Sequence, residues 1–227
     1  MLFYCFLHLY AKSLFDTCET YSQIRMILER QFYELEVLTV AKELLGKHLV
    51  REASEGVTIG KIVETEAYKG PEDKASHTFG NLRTDRTEVQ FGPKGHAYVF
   101  QIYGMYYCLN VTGGRVPGKP EAILVRALEP VSGIEIMTKR RRLSKIRASD
   151  LTNGPGKLCM AMAISTRQNG ADLCAKPLHI DDGVKVDRAD IVQTTRINVD
   201  YAGEWKSLPW RFYLQDNDFV SKQDSKS

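Results

Sequence analysis

Two acids set the chemistry open to this chain. Glu64 and Glu66 stand two residues apart in Ile62-Val63-Glu64-Thr65-Glu66-Ala67-Tyr68, a stretch otherwise built of β-branched, aliphatic and aromatic residues. An extended strand turns both carboxylates to one face and Val63, Thr65 and Ala67 to the other. In a poorly solvated cleft such a pair resists double ionisation. One acid can then act as a general base on water while its neighbour is paired or protonated, an arrangement suited to hydrolysis of a glycosidic bond. A structural reading competes with this one, in which both acids sit in ion pairs at a sheet edge.

Aromatic side chains supply the second component. Tyr68, Phe100, Tyr103, Tyr106 and Tyr107 fall on or beside neighbouring strand-like stretches. Any one of them could be core, but a flat heterocycle stacks on such rings at roughly 1–3 kcal/mol per base. Tyr103-Gly104-Met105-Tyr106 is different, because a glycine among large side chains reads as a turn that holds a ring outward. An exposed apolar wedge is what a protein needs to push between base pairs.

Basic residues are the third component. Arg83 and Arg86 follow His77, a dense run occupies Lys139, Arg140, Arg141, Arg142, Lys145 and Arg147, and Lys157 closes Asn153-Gly154-Pro155-Gly156-Lys157. Backbone phosphates are their natural partner, with a solvated helix face the equal reading for the run over 139–147. The Gly-Pro-Gly-Lys stretch lacks the spacing of a nucleotide phosphate loop and reads instead as a helix start whose amides meet a phosphate.

The elements that must position these groups follow from periodicity. Val37, Val40, Ala41, Leu44 and Leu45 recur at helical spacing within residues 36–50, with Gly46 as a stop. Strands are predicted over 48–51, 58–68, 97–101, 107–112 and 122–127, separated by Gly, Pro and Asn turns. Beyond Pro130, residues 133–142 and 156–164 look helical, and a last strand pair falls at 192–199 and 210–214. The fold class expected is α+β, a single domain with a curved antiparallel β-sheet core flanked by helices.

With 227 residues, 43% hydrophobic and 26% charged, the chain can bury one sizeable core. Its net charge of +3 permits a polyanionic partner without arguing for one, so local clustering carries that claim. The five cysteines form no CxxC pair and the five histidines have no metal-ligand spacing, which excludes a zinc framework and points to free thiols in a reducing, intracellular compartment. Neither a metal nor a cofactor is expected. The first fifteen residues are apolar but carry His8 and Lys12 and are too short to span a bilayer. No membrane partner is read from them; they fit a packed helix or a start codon called upstream of the true one, with a signal-like address the weaker alternative.

Several blocks, in order, are similar to one known family. IVETEAYKGPEDKASH (62–77), YGMYYCLN (103–110), RALEP (126–130), GPGKLCMA (154–161), AGEW (202–205) and RFY (211–213) resemble the alkyladenine, or 3-methyladenine, DNA glycosylases from about Leu38 to Ser221. That resemblance divides the chain into an N-terminal extension (1–35), a glycosylase domain (36–221) and a polar tail (222–227) expected to fray from Ser221 onward. It implies a monomeric, monofunctional enzyme, in the cytoplasm at the nucleoid or in a nucleus, that flips alkylated or deaminated purines from double-stranded DNA and hydrolyses their glycosidic bond.

The resemblance also implies roles residue by residue. Glu66 matches the catalytic base, Arg126 the arginine that holds acid and water, and Ile197 the residue whose carbonyl is the third water contact. Tyr68 and His77 match one wall of the base pocket and Phe100 the other, where relatives carry Tyr. Asn110 matches the residue that disfavours the guanine 2-amino group, and Tyr103 the wedge, with Met105, Arg83, Arg86 and Lys157 placed towards DNA. Phe100 and Tyr201, which replaces a family histidine, are departures that bear on lesion range. Two readings from the bare residues stand beside this one. A hydrolase of free nucleosides would need no wedge or basic run, and a silent nucleic-acid-binding module would need no Glu66 aligned with Arg126.

Overall fold

The structure, a computed structural model, describes residues 26–142 and 147–224. The readings made on residues 1–25, on Lys145 and on 225–227 lie outside it. Two short helices open the described chain, α1 (Arg30–Tyr33) and α2 (Val37–Glu43). The Glu36 carboxylate caps α2 by accepting from the amides of Leu38 and Thr39, which satisfies donors that a helix start leaves open. The helix stops before Gly46, where φ is +84° and a Cβ would stand 2.3 Å from the Val184 carbonyl oxygen. No residue but glycine fits that crossing without backbone movement.

Eight strands follow: β1 (His48–Ala53), β2 (Gly56–Tyr68), β3 (Ala97–Ile102), β4 (Tyr106–Thr112), β5 (Ala122–Ser132), β6 (Leu178–Asp181), β7 (Ile191–Thr194) and β8 (Arg211–Leu214). Helices α3 (Ile134–Arg141) and α4 (Pro155–Ala161) lie between β5 and β6. Every pairing is antiparallel, in the order β3-β4-β5-β2-β1-β6, with β8 paired to both β2 and β7. The chain is an α+β domain with a curved antiparallel sheet flanked by helices, as its periodicity predicts.

Strand β2 is the pivot. Its first half pairs with β1, its second half with β8, and β5 runs along the other edge. The register against β5 shifts between Ile62 and Glu64 and again between Glu64 and Thr65, so Val63 and Arg126 fall at the irregularity. Such bulges bend a strand and re-aim its side chains, and they occur often beside active sites. Val63, Thr65 and Ala67 pack towards α2, where the Thr65 hydroxyl donates to the Ala41 carbonyl at 2.8 Å. Glu64 and Glu66 therefore occupy the opposite face, and both are fully buried.

Three sequence expectations are corrected. The strand predicted over 192–199 ends at Thr194, because Arg196 turns inward to a buried partner and Asn198 adopts φ +59°. Strand β6 has no counterpart in the predicted set; its buried Leu178 and Ile180 pair with β1. The tail does not fray at Ser221. The Ser221 amide donates to Glu64 at 2.7 Å, and Arg211 donates to the Lys222 carbonyl at 2.7 Å and to Asp224 at 2.9 Å.

Candidate active site

The irregular register between β2 and β5 places Arg126 between the two acids. Its Nε lies 3.2 Å from Glu64 Oε1 and its Nη1 3.2 Å from Glu66 Oε1. Burial opposes the guanidinium charge, but Glu66 and then Glu64 outweigh it and hold the Arg126 pKa above the ordinary arginine value.

The two carboxylates differ in what else they touch. Glu64 accepts from Arg211 Nη1 at 3.0 Å and from the Ser221 amide, so two buried cations and a backbone N–H surround it. Glu66 has one cation, Arg126, and accepts from the Ile197 amide at 2.8 Å and the Tyr68 hydroxyl at 2.9 Å. It lies directly beneath residues that line a cavity of about 510 Å³, among them Arg126, Tyr68 and Ile197. Glu64 shares Arg126 with Glu66, but its other partners, Arg211 and Ser221, do not line the cavity, whereas Tyr68, Ile197 and Arg126, which hold Glu66, all do. Burial, then the adjacent Glu66, push the Tyr68 hydroxyl well above its ordinary range, so it donates as a neutral phenol.

The cavity is aromatic on its far side. His77 stands edge-on to Phe100, with ring centres 4.6 Å apart, and its Nδ1 lies 2.9 Å from the Tyr98 hydroxyl. Tyr98 and Phe100 alternate on β3 and share a face, 5.3 Å between centres. Asn110, on β4 opposite Tyr98, is buried in the wall and donates to the Tyr98 carbonyl at 3.2 Å. Cys108 also lines the cavity, and burial raises its thiol to about 11, leaving it protonated.

Burial first and Arg86 second lower the His77 pKa from 6.5 to about 4, so the imidazole is neutral across the physiological range. The sign of the linkage follows: between pH 6.5 and about 4 the unfolded chain takes up a proton that folded His77 refuses. Stability present above pH 6.5 is therefore lost as pH falls through that window. The expected result is a histidine resonance titrating near pH 4, and a His77→Phe variant whose thermal midpoint falls less steeply below pH 6.5. A wild-type His77 titrating near 6.5 would contradict this account.

The structure brings most of the predicted site residues together and separates others. Arg126, Tyr68, His77, Phe100, Asn110 and Ile197 line one cavity with Tyr103 at its rim, and Glu66 lies fully buried behind that wall, bonded to Tyr68 and Ile197. Ile197 contacts Glu66 through its amide. Arg86 turns onto the cavity wall, with Cζ 4.8 Å from the Phe100 ring centre and Nη2 2.8 Å from His77 Nε2. Arg83 does not reach the cavity; it is held by Glu88 at 2.6 Å and lies over Phe91. Residues unassigned in the sequence also take part, namely Tyr98, Arg196, Arg211 and Asp73. Only Tyr98 carried a local signal, its alternation with Phe100.

Outside the cavity the β3–β4 hairpin projects an apolar tip. Tyr103 is 84% exposed and Met105 63% exposed. The turn takes φ +51° at Tyr103 and +69° at Gly104, a left-handed pair that a bulky side chain enters at a cost of order 1 kcal/mol. Lys157 and Arg141 stand beside this tip, Lys157 bonded to Asn153 at 2.7 Å. Among the described residues no group of three or more His, Cys, Asp and Glu could hold a metal, and no helix is long and apolar enough to cross a membrane.

Comparison with known proteins places this geometry. The sequence profile of the methylpurine-DNA glycosylases matches residues 31–218. The chain belongs to the methylpurine-DNA glycosylase family. It is 50% identical over 202 residues to a Clostridium acetobutylicum protein given the name of a 3-methyladenine DNA glycosylase, covering 86% of this chain and 98% of that one. A protein of the same name from Alkaliphilus oremlandii is 48% identical over 87% of this chain and 100% of its own. Another, from Bacillus mycoides, is 49% identical over 84% and 97%. As a member of that family the chain is an enzyme of the DNA-glycosylase class, which hydrolyses N-glycosidic bonds.

Proposed function

We propose that this glycosylase extrudes alkylated and deaminated purines from duplex DNA into the aromatic cavity and leaves an abasic site without cutting the strand. The observation that carries this reading is the asymmetry of the acids: Glu66 lies under the cavity wall, held by groups that face the cavity, while Glu64 is consumed by two arginines. Glu66 takes a proton from water held with Arg126 and the Ile197 carbonyl. The water oxygen bonds to the sugar carbon, and the base departs with the electrons of the glycosidic bond. Arg126, bonded to both acids, holds the base Glu66 against the cavity wall.

Alkylation places positive charge on a purine and weakens this bond, so positioning and deprotonation suffice. Between Tyr68 and Phe100 an electron-poor base gains the attraction that ring faces have for cations. Extrusion itself costs a few kcal/mol, less at a damaged or mismatched pair, so selectivity begins before the cavity. Tyr103 fills the vacated stack from the exposed hairpin tip, with Met105 beside it, and Arg141 and Lys157 meet phosphates. No lysine stands at the position of Glu66, which argues against a Schiff-base nucleophile and strand cleavage.

The test is base release from duplexes carrying hypoxanthine or a methylated adenine, with alkali used to reveal abasic sites. Release with strands intact until alkali is the expected result. Binding without release would favour a silent module, and equal turnover of free nucleosides would favour a nucleoside hydrolase. Tyr103→Ala is expected to slow release from duplex by about ten-fold or more, the value of one lost stack, and to leave release from single strands unchanged. Equal losses on both substrates would remove the wedge role.

A further inference from the structure

Arg196 is fully buried, and so is Asp73, which holds it. Its Nη1 and Nη2 meet the two Asp73 oxygens at 2.5 and 3.0 Å. The same guanidinium donates to the Ala67 carbonyl at 3.1 Å and the Trp205 carbonyl at 3.2 Å. Its plane is also enclosed by rings, with Cζ 4.8 Å from the Tyr68 centre and 5.1 Å from that of Trp210.

Two of these contacts lie within two residues of the candidate base. Ala67 and Tyr68 follow Glu66 on β2, and Ile197, whose amide donates to Glu66 Oε1, follows Arg196. Arg196 does not line the cavity, whereas Tyr68 does. The guanidinium therefore backs the ring from the side turned away from a bound base. Apart from the Ile197 amide on Glu66, Arg196 is the charged tie between the loop of residues 195–199 and β2 among the described residues, since β7 has ended at Thr194 and the Arg211–Thr195 bond reaches only the loop's first residue.

We infer that Arg196 and Asp73 form a positioning pair that fixes the Ile197 amide on Glu66 and the Tyr68 wall behind the base. The pair touches neither substrate nor the reacting atoms. Its effect passes through one hydrogen bond and one ring, so the chemical step depends on it while duplex binding does not. The Ile197 N–H holds one oxygen of the carboxylate, and releasing the loop removes that donor. A side chain that only supported the fold would lower the thermal midpoint without slowing release by the folded, DNA-bound enzyme.

This inference rests on the proposed role of Glu66, and the experiment keeps the two separable. Arg196→Lys keeps the charge and loses the planar fork; Asp73→Asn keeps the shape and loses the charge. Each is compared with wild type and Glu66→Gln in single-turnover base release from a hypoxanthine duplex across pH, in duplex affinity, and in thermal unfolding. For both variants the expected result is release slowed by about 10- to 100-fold, the scale of a small misplacement of reacting groups. Duplex affinity should stay within about three-fold of wild type, so that the loss falls on the rate of the bound complex and not on binding.

Wild-type rates of single-turnover release in both folded variants, with Glu66→Gln inactive, overturn the positioning role alone. Retained turnover in Glu66→Gln overturns the reading beneath it. If neither Arg196→Lys nor Asp73→Asn gives a folded domain, the cluster serves folding and the positioning role is overturned.

Discussion

Glu66→Gln is expected to slow base release by about 10²- to 10⁴-fold, the usual worth of a general base, while the fold and duplex affinity survive. Glutamine keeps the size of the side chain and an oxygen that can accept from the Ile197 amide or the Tyr68 hydroxyl, both of which now hold the carboxylate. Arg126 is not orphaned by the change, because Glu64 remains 3.2 Å from its Nε. The loss therefore falls on proton transfer rather than on packing. Single-turnover release, duplex affinity and thermal midpoint are measured together. Turnover within ten-fold of wild type would refute Glu66 as the base, and a collapsed midpoint would make it a structural acid.

Why Glu66 and not Glu64 is the question that the sequence poses and the fold answers. Alternation along β2 is a local property, so the shared face of the two acids was legible from residues 62–68 alone, as was the packing of Val63, Thr65 and Ala67 on the other side. The groups that tell the acids apart are remote. Arg211 lies 147 positions from Glu64 and Ser221 157 positions, while Ile197 reaches Glu66 across 131. No pattern within a strand encodes such contacts, because strand pairing and loop closure create them.

The same reason explains the other misses. Asp73 and Arg196 are 123 positions apart, and each alone reads as an ordinary loop charge. Residues 195–199 look like strand because Ile197 and Val199 alternate, but the buried charge of Arg196 outweighs that propensity and bends the chain inward. The polar composition of the tail suggested solvent, yet an amide and a carbonyl there complete the shell of buried charges at Glu64 and Arg211. Charge alone reads Arg86 as a phosphate contact. Its position over Phe100 and against His77 also makes it part of the wall that keeps His77 neutral.

Removing Glu64 should do what removing the charge of Glu66 does not. Glu64→Ala takes a carboxylate from between Arg126 and Arg211, whose side chains are 10% and 2% exposed, and from the Ser221 amide. Arg126 would keep Glu66, and Arg211 would keep Asp224, whose side chain is 44% exposed. Both arginines would remain desolvated with one fewer anion, and breaking a buried pair from one side costs about 3–5 kcal/mol. In a domain of this size that corresponds to a fall in thermal midpoint on the order of 10 °C. Denaturant unfolding of Glu64→Ala measures the loss directly. A cost below about 1 kcal/mol would show that the shell is not stabilising, and the assignment of Glu64 to structure would fall. If the cost is found, residual base release by the folded fraction should still exceed that of Glu66→Gln, because the proton acceptor is still in place beneath the cavity.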